Sequence, residues 1–514
     1  MTAETGRAKA EYPATGISEL VRRWRAERPE QRALIDGATV LTWAELDAAT
    51  TRAAVGLLAA GLSVGDRVAI QVSSGAPFSA LYLGALRAGL IAVPVNPAYT
   101  TPELRYVLTD SGAALLVTDS VAALGERESL PVSRVVAAMH ERGDDGSTLR
   151  DLLAEGNGPD PVGDRHGPET AVVLYTSGTS GRPRGAMLSA AALLANLEQM
   201  AAVQPPLMRG DDVGYVPVPL FHVFGLNVGL GMTLHAGATV VLAGRFDPGE
   251  TLATMAERKV TVVIGAPGMF TAWLVHPDFQ RGFATVRFAL SGSAPLAPAL
   301  VERYAQEGVV LFEGYGLTEC APAVTLNAGD AKPGSIGRPL PGVEVELRDP
   351  DGEPIADDDP GQLIVRGPNL FSGYWPDGAD GPDDDGWFAT GDIGLWDEDG
   401  ELLLVGRTTE LVVVNGFNVY PSEVEAALAI QPGVAEVAVL GVDDDETGEA
   451  VLAYVVPAAG AQLDPDTILS KAATSLARFK LPRRIEVVDA LPHTVTGKVM
   501  KWRLRPARSA DASS

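Results

Sequence analysis

Cysteine is nearly absent from this 514-residue chain. Cys320 stands alone, so neither an intrachain disulfide nor a multi-cysteine metal site can form. Positive charge is also scarce: 40 Lys and Arg face 66 Asp and Glu, a formal net charge of −26. That balance argues against a general nucleic-acid binder and against attachment to an anionic membrane through basic residues. It leaves small anionic ligands open, because a nest of backbone N–H groups is locally positive even inside an acidic protein. The polar opening MTAETGRAKAEYPATG lacks an apolar secretory stretch, and a cytoplasmic location is expected. Residues 213–244 carry no Asp, Glu, Lys or Arg, a run long enough to cross a bilayer, but Pro217, Pro219, His222, Asn227 and His235 interrupt it. A buried strand–turn–helix segment is expected there, with no integral membrane association. No internal repeat or extended low-complexity tract is evident.

What is present is apolar substance in alternating order. Hydrophobic residues make up 46% and charged residues 21%, enough to bury a sizeable core, and the length suggests roughly two to four folding units. LTWAELDAATTRAAVGLLAAGL has helical apolar spacing, and RVAIQVS then reads as a short buried strand. The helix-like APFSALYLGALRAGL, strand-like IAVPVN, helix-like TTPELRYVLTDSG and strand-like ALLVTD follow. This βαβ rhythm predicts α/β architecture, with mostly parallel sheets covered by helices. VTVVIGAP and VRFALSGSAP each run from a strand into a glycine-rich loop, the place where ligands sit in such sheets. Residues 376–386, PDGADGPDDDG, read as a solvated surface loop. After Arg407 a compact alternating unit of about a hundred residues begins, enough for a small domain. The expected boundaries are 1–406 for a large N-terminal domain, 407–410 for a hinge and 411–514 for a small, mobile α+β lid.

Residues 175–185, YTSGTSGRPRG, combine three glycines with hydroxyls and two arginines, between a predicted strand (171–176) and a helix-like run, SAAALLANLEQM. Glycines let backbone N–H groups turn inward around phosphate oxygens, and hydroxyls and arginine add donors. The usual P-loop needs Lys followed by Ser or Thr after its last glycine; here Ala186 and Met187 follow Gly185, which disfavours a kinase or motor ATPase. The stretch resembles the phosphate-binding signature of the adenylate-forming (AMP-binding) superfamily, in its acyl-CoA synthetase or fatty-acid–CoA ligase branch. PLFHVFG (219–225), SGSAPL (291–296), EGYGLTE (313–319), WFATGD (387–392), GRTTELVVVNGFNVYPSEVE (406–425) and LPHTVTGK (491–498) resemble further blocks in the family's order.

The resemblance implies ATP, Mg²⁺ and coenzyme A as cofactor and co-substrates, and a carboxylic acid as substrate. It implies that Thr176, Ser177, Gly178, Thr179, Ser180, Gly181, Arg184 and Gly185 hold the phosphates, that Thr318 contacts the α-phosphate and that Glu319 binds the metal. Gly292, Ser293, Ala294 and Tyr315 would frame adenine, with Glu313, Gly314 and Gly316 beside them. Asp392 would take both ribose hydroxyls with Arg407 assisting, and Lys498 would bridge the carboxylate and α-phosphate. His222 would line the junction of acyl pocket and thiol tunnel, Gly416 and Phe417 the pantetheine path, and Cys320 a wall. Alone, each has a plain structural explanation, such as a solvated lysine or a turn aspartate. The concurrence of blocks favours the functional reading.

Departures from the family pattern include Ser180 for threonine, Arg184 for lysine, Ala190 for histidine and Thr409 at the hinge. They motivate an alternative: a ligase that mainly uses a preformed acyl-adenylate supplied by a partner adenylating enzyme. A loader of a phosphopantetheine carrier protein, a luciferase and a non-catalytic adenylate-binding regulator are further readings, and a homodimer is a candidate assembly. For the acyl pocket, segments 221–232, 264–270 and 313–322 contain no Lys or Arg for a second carboxylate, and no Asp stands at Phe221–His222 for an α-amino group. An apolar medium- or long-chain fatty acid, or a bulky cyclic or aryl acid, is expected. Gly225, Gly229, Gly231, Gly265 and Gly268 are expected to leave room, between walls at Phe224, Leu230, Met232, Met269 and Phe270.

Overall fold

The computed structural model describes residues 16–119, 132, 134–137, 158–161, 163, 165–176, 183–328, 332, 334–355, 359–414, 417–444, 447–493 and 499–504. Alternating apolar runs form two large sheets. The first has six strands in the order Arg134–Ala137, Leu115–Thr118, Arg67–Gln71, Ile91–Pro94, Thr170–Thr176 and Arg184–Ser189. All its neighbours are parallel except the last pair. The second has nine strands, and its parallel centre runs Arg32–Asp36, Thr239–Leu242, Val213–Val216, Val262–Gly265, Phe288–Ser291 and Leu311–Gly316. The central strands are buried on both faces, which is why they read as continuous Val, Ile and Leu runs.

The helix Ala76–Arg87 follows a strand of the six-stranded sheet and packs against the helix Trp43–Ala59; all but its first two residues are buried. One apolar cluster runs from Trp24 and Leu34 through Phe78 and Leu290 to Leu363 and Leu402, in a third, four-stranded antiparallel sheet (Glu344–Arg348, Gly361–Arg366, Trp387–Trp396, Leu402–Arg407). A smaller domain beyond it has a five-stranded sheet and the helices Pro421–Ala429 and Pro465–Ala472. Its separate core is built on Val412, Val424, Val451, Val455 and Ile468. The fold is thus mixed α/β, a large N-terminal domain of parallel and mixed sheets with a smaller C-terminal one. Among the described residues, no helix is long and apolar enough to cross a membrane.

One local expectation needs correction. The glycine-rich stretch does not lead straight into a helix. The strand Arg184–Ser189 intervenes and returns antiparallel on Thr170–Thr176, and only then does Ser189 cap the helix Ala190–Ala201 by accepting from the Ala192 N–H at 3.0 Å. In the C-terminal domain the helix Pro465–Ala472 ends where the hydroxyls of Thr474 and Ser475 donate to the carbonyls of Lys471 and Ala472. The charge-free run 213–244 does form strand, turn and helix, but residues Phe224–Gly231 are wound as a π-helix.

Arg87, fully buried at the end of its helix, donates to Asp47 O at 3.2 Å and Thr51 Oγ1 at 2.8 Å, and pairs with Asp47 Oδ1 at 2.8 Å. Removing one partner of a buried pair strands the other charge. Asp47→Ala should destabilise the protein by about 3 kcal/mol, read from the shift of its urea unfolding midpoint.

Candidate active site

Three sheets bring their loops to one place, and each delivers part of the sequence-predicted site. From the six-stranded sheet, the hairpin register Thr176↔Arg184 and Tyr175↔Gly185 fixes both ends of the glycine-rich connection. Ser177, Gly178, Thr179, Ser180 and Gly181 lie outside the described residues, as do Gly416 and Lys498. Arg184 leaves the strand end toward Asp380, with Nη2 2.6 Å from Oδ2, and its guanidinium lies 3.7 Å from the centroid of the Tyr374 ring. Gly185 has a packing role: a Cβ there would stand 2.7 Å from Val173 Cγ1.

From the nine-stranded sheet, Ser291 and Glu313 are register partners on neighbouring parallel strands. Gly292 follows, its N–H donating to Gly265 O at 3.2 Å, and Phe224 packs so close that a Cβ at Gly292 would meet its ring at 2.9 Å. Ser293 holds a left-handed backbone with φ 73°, a costly state for a residue with a side chain and one that concentrates at ligand sites. Ala294 is half-buried beside it. The buried Glu313 carboxylate accepts the Leu296 N–H at 2.9 Å and so closes the 292–296 loop. Burial pushes its carboxyl up to about 7, against the opposing pull of that hydrogen bond. Gly314 keeps ordinary contacts, whereas a Cβ at Gly316 would stand 2.1 Å from Pro322 O, so only glycine permits that close approach. Thr318 then opens a short 3₁₀ turn to Cys320 that carries the buried Glu319.

The four-stranded sheet contributes Asp392 and Arg407, partners across two antiparallel strands. Asp392 is 2% exposed, yet both oxygens are engaged: Oδ1 lies 2.9 Å from Arg407 Nε and Oδ2 accepts the Tyr315 hydroxyl at 2.6 Å. A carboxylate oxygen has two lone pairs, so each retains capacity for a further donor. Burial and the Asp392 charge push the Tyr315 phenol far above its ordinary range, so it stays a donor.

His222 is half-buried, and burial lowers its imidazole to about 4. Its Nδ1 accepts the Phe224 N–H at 3.3 Å, which leaves Nε2 to carry the proton of the neutral ring. The π-helix behind it is held by Asn227, whose amide donates to Leu193 O at 3.1 Å and Ala321 O at 2.7 Å. Most glycines expected to leave room here are contact points instead. A Cβ would meet Pro219 O at 2.2 Å from Gly225, Val216 Cγ1 at 2.6 Å from Gly229 and Asn227 Oδ1 at 2.7 Å from Gly231. Gly265 backs onto Phe270, and only Gly268 has open space. Phe270 is no pocket wall either: fully buried, it sits edge-on to Trp273 and Tyr304 in a separate core. In the C-terminal domain Phe417 is 56% exposed and stacks on Phe479, centroids 4.8 Å apart.

Residues missed in the sequence include Tyr374 and Asp380. Tyr374 donates its hydroxyl to Glu319 Oε1 at 2.6 Å. Nothing in the local pattern marks either, since Asp380 sits in an acidic loop with a bland explanation. Among the described residues no three His, Cys, Asp or Glu side chains converge on a metal position. A single buried carboxylate with one oxygen uncommitted fits Mg²⁺, which binds through one or two carboxylates plus phosphates.

Residues 21–375 match the model of the AMP-binding enzyme family, and residues 423–498 match that of the AMP-binding enzyme C-terminal domain. The chain therefore belongs to the AMP-binding enzymes, in the branch of AMP-forming acid–CoA ligases. A feruloyl-CoA synthase from Amycolatopsis sp is 37% identical over 489 residues, covering 93% of this chain and 96% of that protein. A long-chain-fatty-acid–CoA ligase from Yersinia pestis is 35% identical over 519 residues, covering 93% and 91%. Among solved structures, ATP-bound MatB from Rhodopseudomonas palustris superposes with a TM-score of 0.86 at 36% identity, covering 95% of this chain and 98% of that one. The anthranilate CoA ligase AuaEII in complex with anthranoyl-AMP gives 0.87 at 26% identity, covering 96% and 98%.

Glu313 makes the pH dependence testable. Its folded carboxyl keeps a proton up to about 7 against an ordinary value of 4.5, so between these the native state binds more protons than the unfolded one. Its contribution to stability therefore falls as pH rises through that window. Glu313→Gln is neutral throughout and keeps an oxygen for Leu296. Relative to the parent it should gain stability from pH 4.5 to pH 7, by about 1.4 kcal/mol per pH unit at most, in paired denaturant titrations.

Proposed function

We propose that this ligase activates an apolar carboxylic acid, a medium- or long-chain fatty acid or a bulky cyclic or aryl acid, and passes the acyl group to coenzyme A. One observation carries the reading. The buried Asp392 is gripped by Tyr315 and Arg407, the buried Glu319 by Tyr374 beside Arg184, and the expected acyl wall Phe221–Met232, which packs on the neighbouring loops at Gly292 and Ala321, contains no Asp, Glu, Lys or Arg. A second carboxylate or an ammonium on the acid would find no partner on that wall, and an unpaired buried charge is costly. The names of the relatives, a feruloyl-CoA synthase and long-chain-fatty-acid–CoA ligases, support both acyl classes.

In the first half-reaction an oxygen of the acid attacks the α-phosphorus of ATP, and the bond to pyrophosphate breaks. Asp392 would hold the ribose hydroxyls, and the 292–296 and 313–316 segments would frame the base. Thr318, Arg184 and the 176–185 connection would hold the phosphates, while Lys498 would pair with the charge that builds between acid and phosphate. Mg²⁺, when held by Glu319, would neutralise phosphate oxygens. In the second half-reaction the CoA sulfur attacks the acyl carbon and AMP leaves. His222, neutral with Nε2–H, would act there as a donor. The small domain, 411–514, would rotate about residues 407–410 to exchange Lys498 for the pantetheine path at Gly416 and Phe417. Contacts around this hinge run from Ser422 Oγ to Val405 O, and from Lys501 Nζ to Glu410 Oε2 at 2.7 Å and Glu425 Oε1 at 3.0 Å. A cytoplasmic site of action completes the proposal. The relatives do not favour the alternative in which a partner supplies the adenylate.

The test follows acyl-CoA by mass spectrometry for a panel of fatty, aryl and dicarboxylic acids with ATP, Mg²⁺ and CoA. Parallel reactions start from the matching acyl-adenylates. Product is expected from both routes with apolar acids; product from the adenylates alone would sink the proposal of a complete synthetase. Lys498→Ala should slow adenylate formation at least 100-fold, and thioester formation from supplied adenylate by much less. Equal losses would contradict its role.

A further inference from the structure

We propose that Tyr374 is a positioning residue for both charged groups of the phosphate end of the site, its ring carrying Arg184 and its hydroxyl orienting Glu319. The inference rests on the reading of Glu319 as the metal carboxylate and Arg184 as a phosphate donor.

The backbone around Tyr374 is stitched between the two elements that bear those groups. Trp375 N donates to Gly185 O at 2.8 Å, Met187 N to Gly373 O at 3.1 Å and Ser372 N to Met187 O at 2.9 Å, so residues 372–375 run along the strand that begins with Arg184. On the other side, Phe371 N donates to Glu319 O at 2.8 Å. Tyr374 also forms bridges to Ala186 and Ala379, and its ring meets Phe371 at 5.0 Å and 78°. With its backbone fixed, the side chain has little freedom, and both of its ends are occupied.

The ring face takes the Arg184 guanidinium 3.7 Å from its centroid, well inside the range of a cation–π contact. The Asp380 ion pair on the same guanidinium is largely exposed, with that carboxylate 73% accessible, and such pairs hold a geometry weakly. The aromatic face is therefore the main guide for the arginine. At the other end the hydroxyl donates to Glu319 Oε1 at 2.6 Å. A phenol keeps its proton at neutral pH, so this hydroxyl is the donor of the pair. One carboxylate oxygen is committed to Tyr374, and Oε2 is left to a cation. A planar guanidinium stacks on a ring as an ammonium does not, which gives Arg184 a reason to stand where this family usually has lysine.

The two functions separate by substitution. Calorimetric titration of the full chain with ATP, once with Mg²⁺ and once with EDTA, reads them independently. Tyr374→Phe keeps the ring and loses the hydroxyl: affinity for Mg²⁺–ATP should fall about tenfold, as expected for a lost hydrogen bond to a charged group, and affinity for metal-free ATP should stay within about twofold. Tyr374→Leu should weaken both forms. Glu319→Gln should lose at least as much as Tyr374→Phe, and the double variant should be no worse than Glu319→Gln alone. Tyr374→Phe binding Mg²⁺–ATP as the parent does, or additive losses in the double variant, would overturn the inference while leaving the site reading intact. A parent protein whose ATP affinity ignores Mg²⁺ would overturn both.

Discussion

Three of the buried carboxylates among the described residues, Asp392, Glu319 and Glu313, stand in the candidate active site, and its arrangement follows from how each is held. An uncompensated buried charge is too costly to keep, so burial forces either a partner or a proton. Asp392 takes the first course with Arg407 and Tyr315, and these three residues come from two different sheets. Glu319 takes it with Tyr374, which ties a connection between two strands of the nine-stranded sheet to the edge of the six-stranded one. Glu313 takes the second course, held near neutrality and closed onto Leu296. Each compensation joins separate segments, so the same contacts that make burial tolerable also assemble the proposed nucleotide site.

Much of this was legible beforehand, for reasons that differ by level. The strands and helices of residues 40–118 follow from apolar periodicity, since a βαβ unit writes its pattern locally. Asp392, Arg407, Tyr315 and Glu319 were legible because they sit in ordered blocks, and the geometry brings them to one place. Tyr374 and Asp380 were not, because their meaning lies in a backbone seam between two distant elements. The glycines of 225–231 misled in the other direction. A missing Cβ shows that something comes close, but the sequence does not tell whether it is a ligand or, as at Gly225, a carbonyl of the protein itself.

The same ambiguity explains Phe270. An aromatic after a glycine-rich turn resembles a pocket wall, yet here it belongs with Trp273, Phe279, Phe283 and Tyr304 to a core of mutually edge-on and stacked rings under the sheet. That core and the glycine contacts make the floor of the proposed acyl side close-packed, so under that proposal differences in acid preference are to be sought at Phe221, His222, Gly268 and Met269, which are not wholly committed to packing.

The winding of Phe224–Gly231 bears on how such a wall changes over generations. A helix with i→i+5 bonds takes up one residue more than an α-helical turn of the same reach. Loss of one residue from this segment would be absorbed by a return to α winding, with the strands Val213–Val216 and Thr239–Leu242 left in register. The side of the proposed acyl site nearest His222 is thereby a place where chain length, as well as residue type, is open to variation while the neighbouring strands stay still.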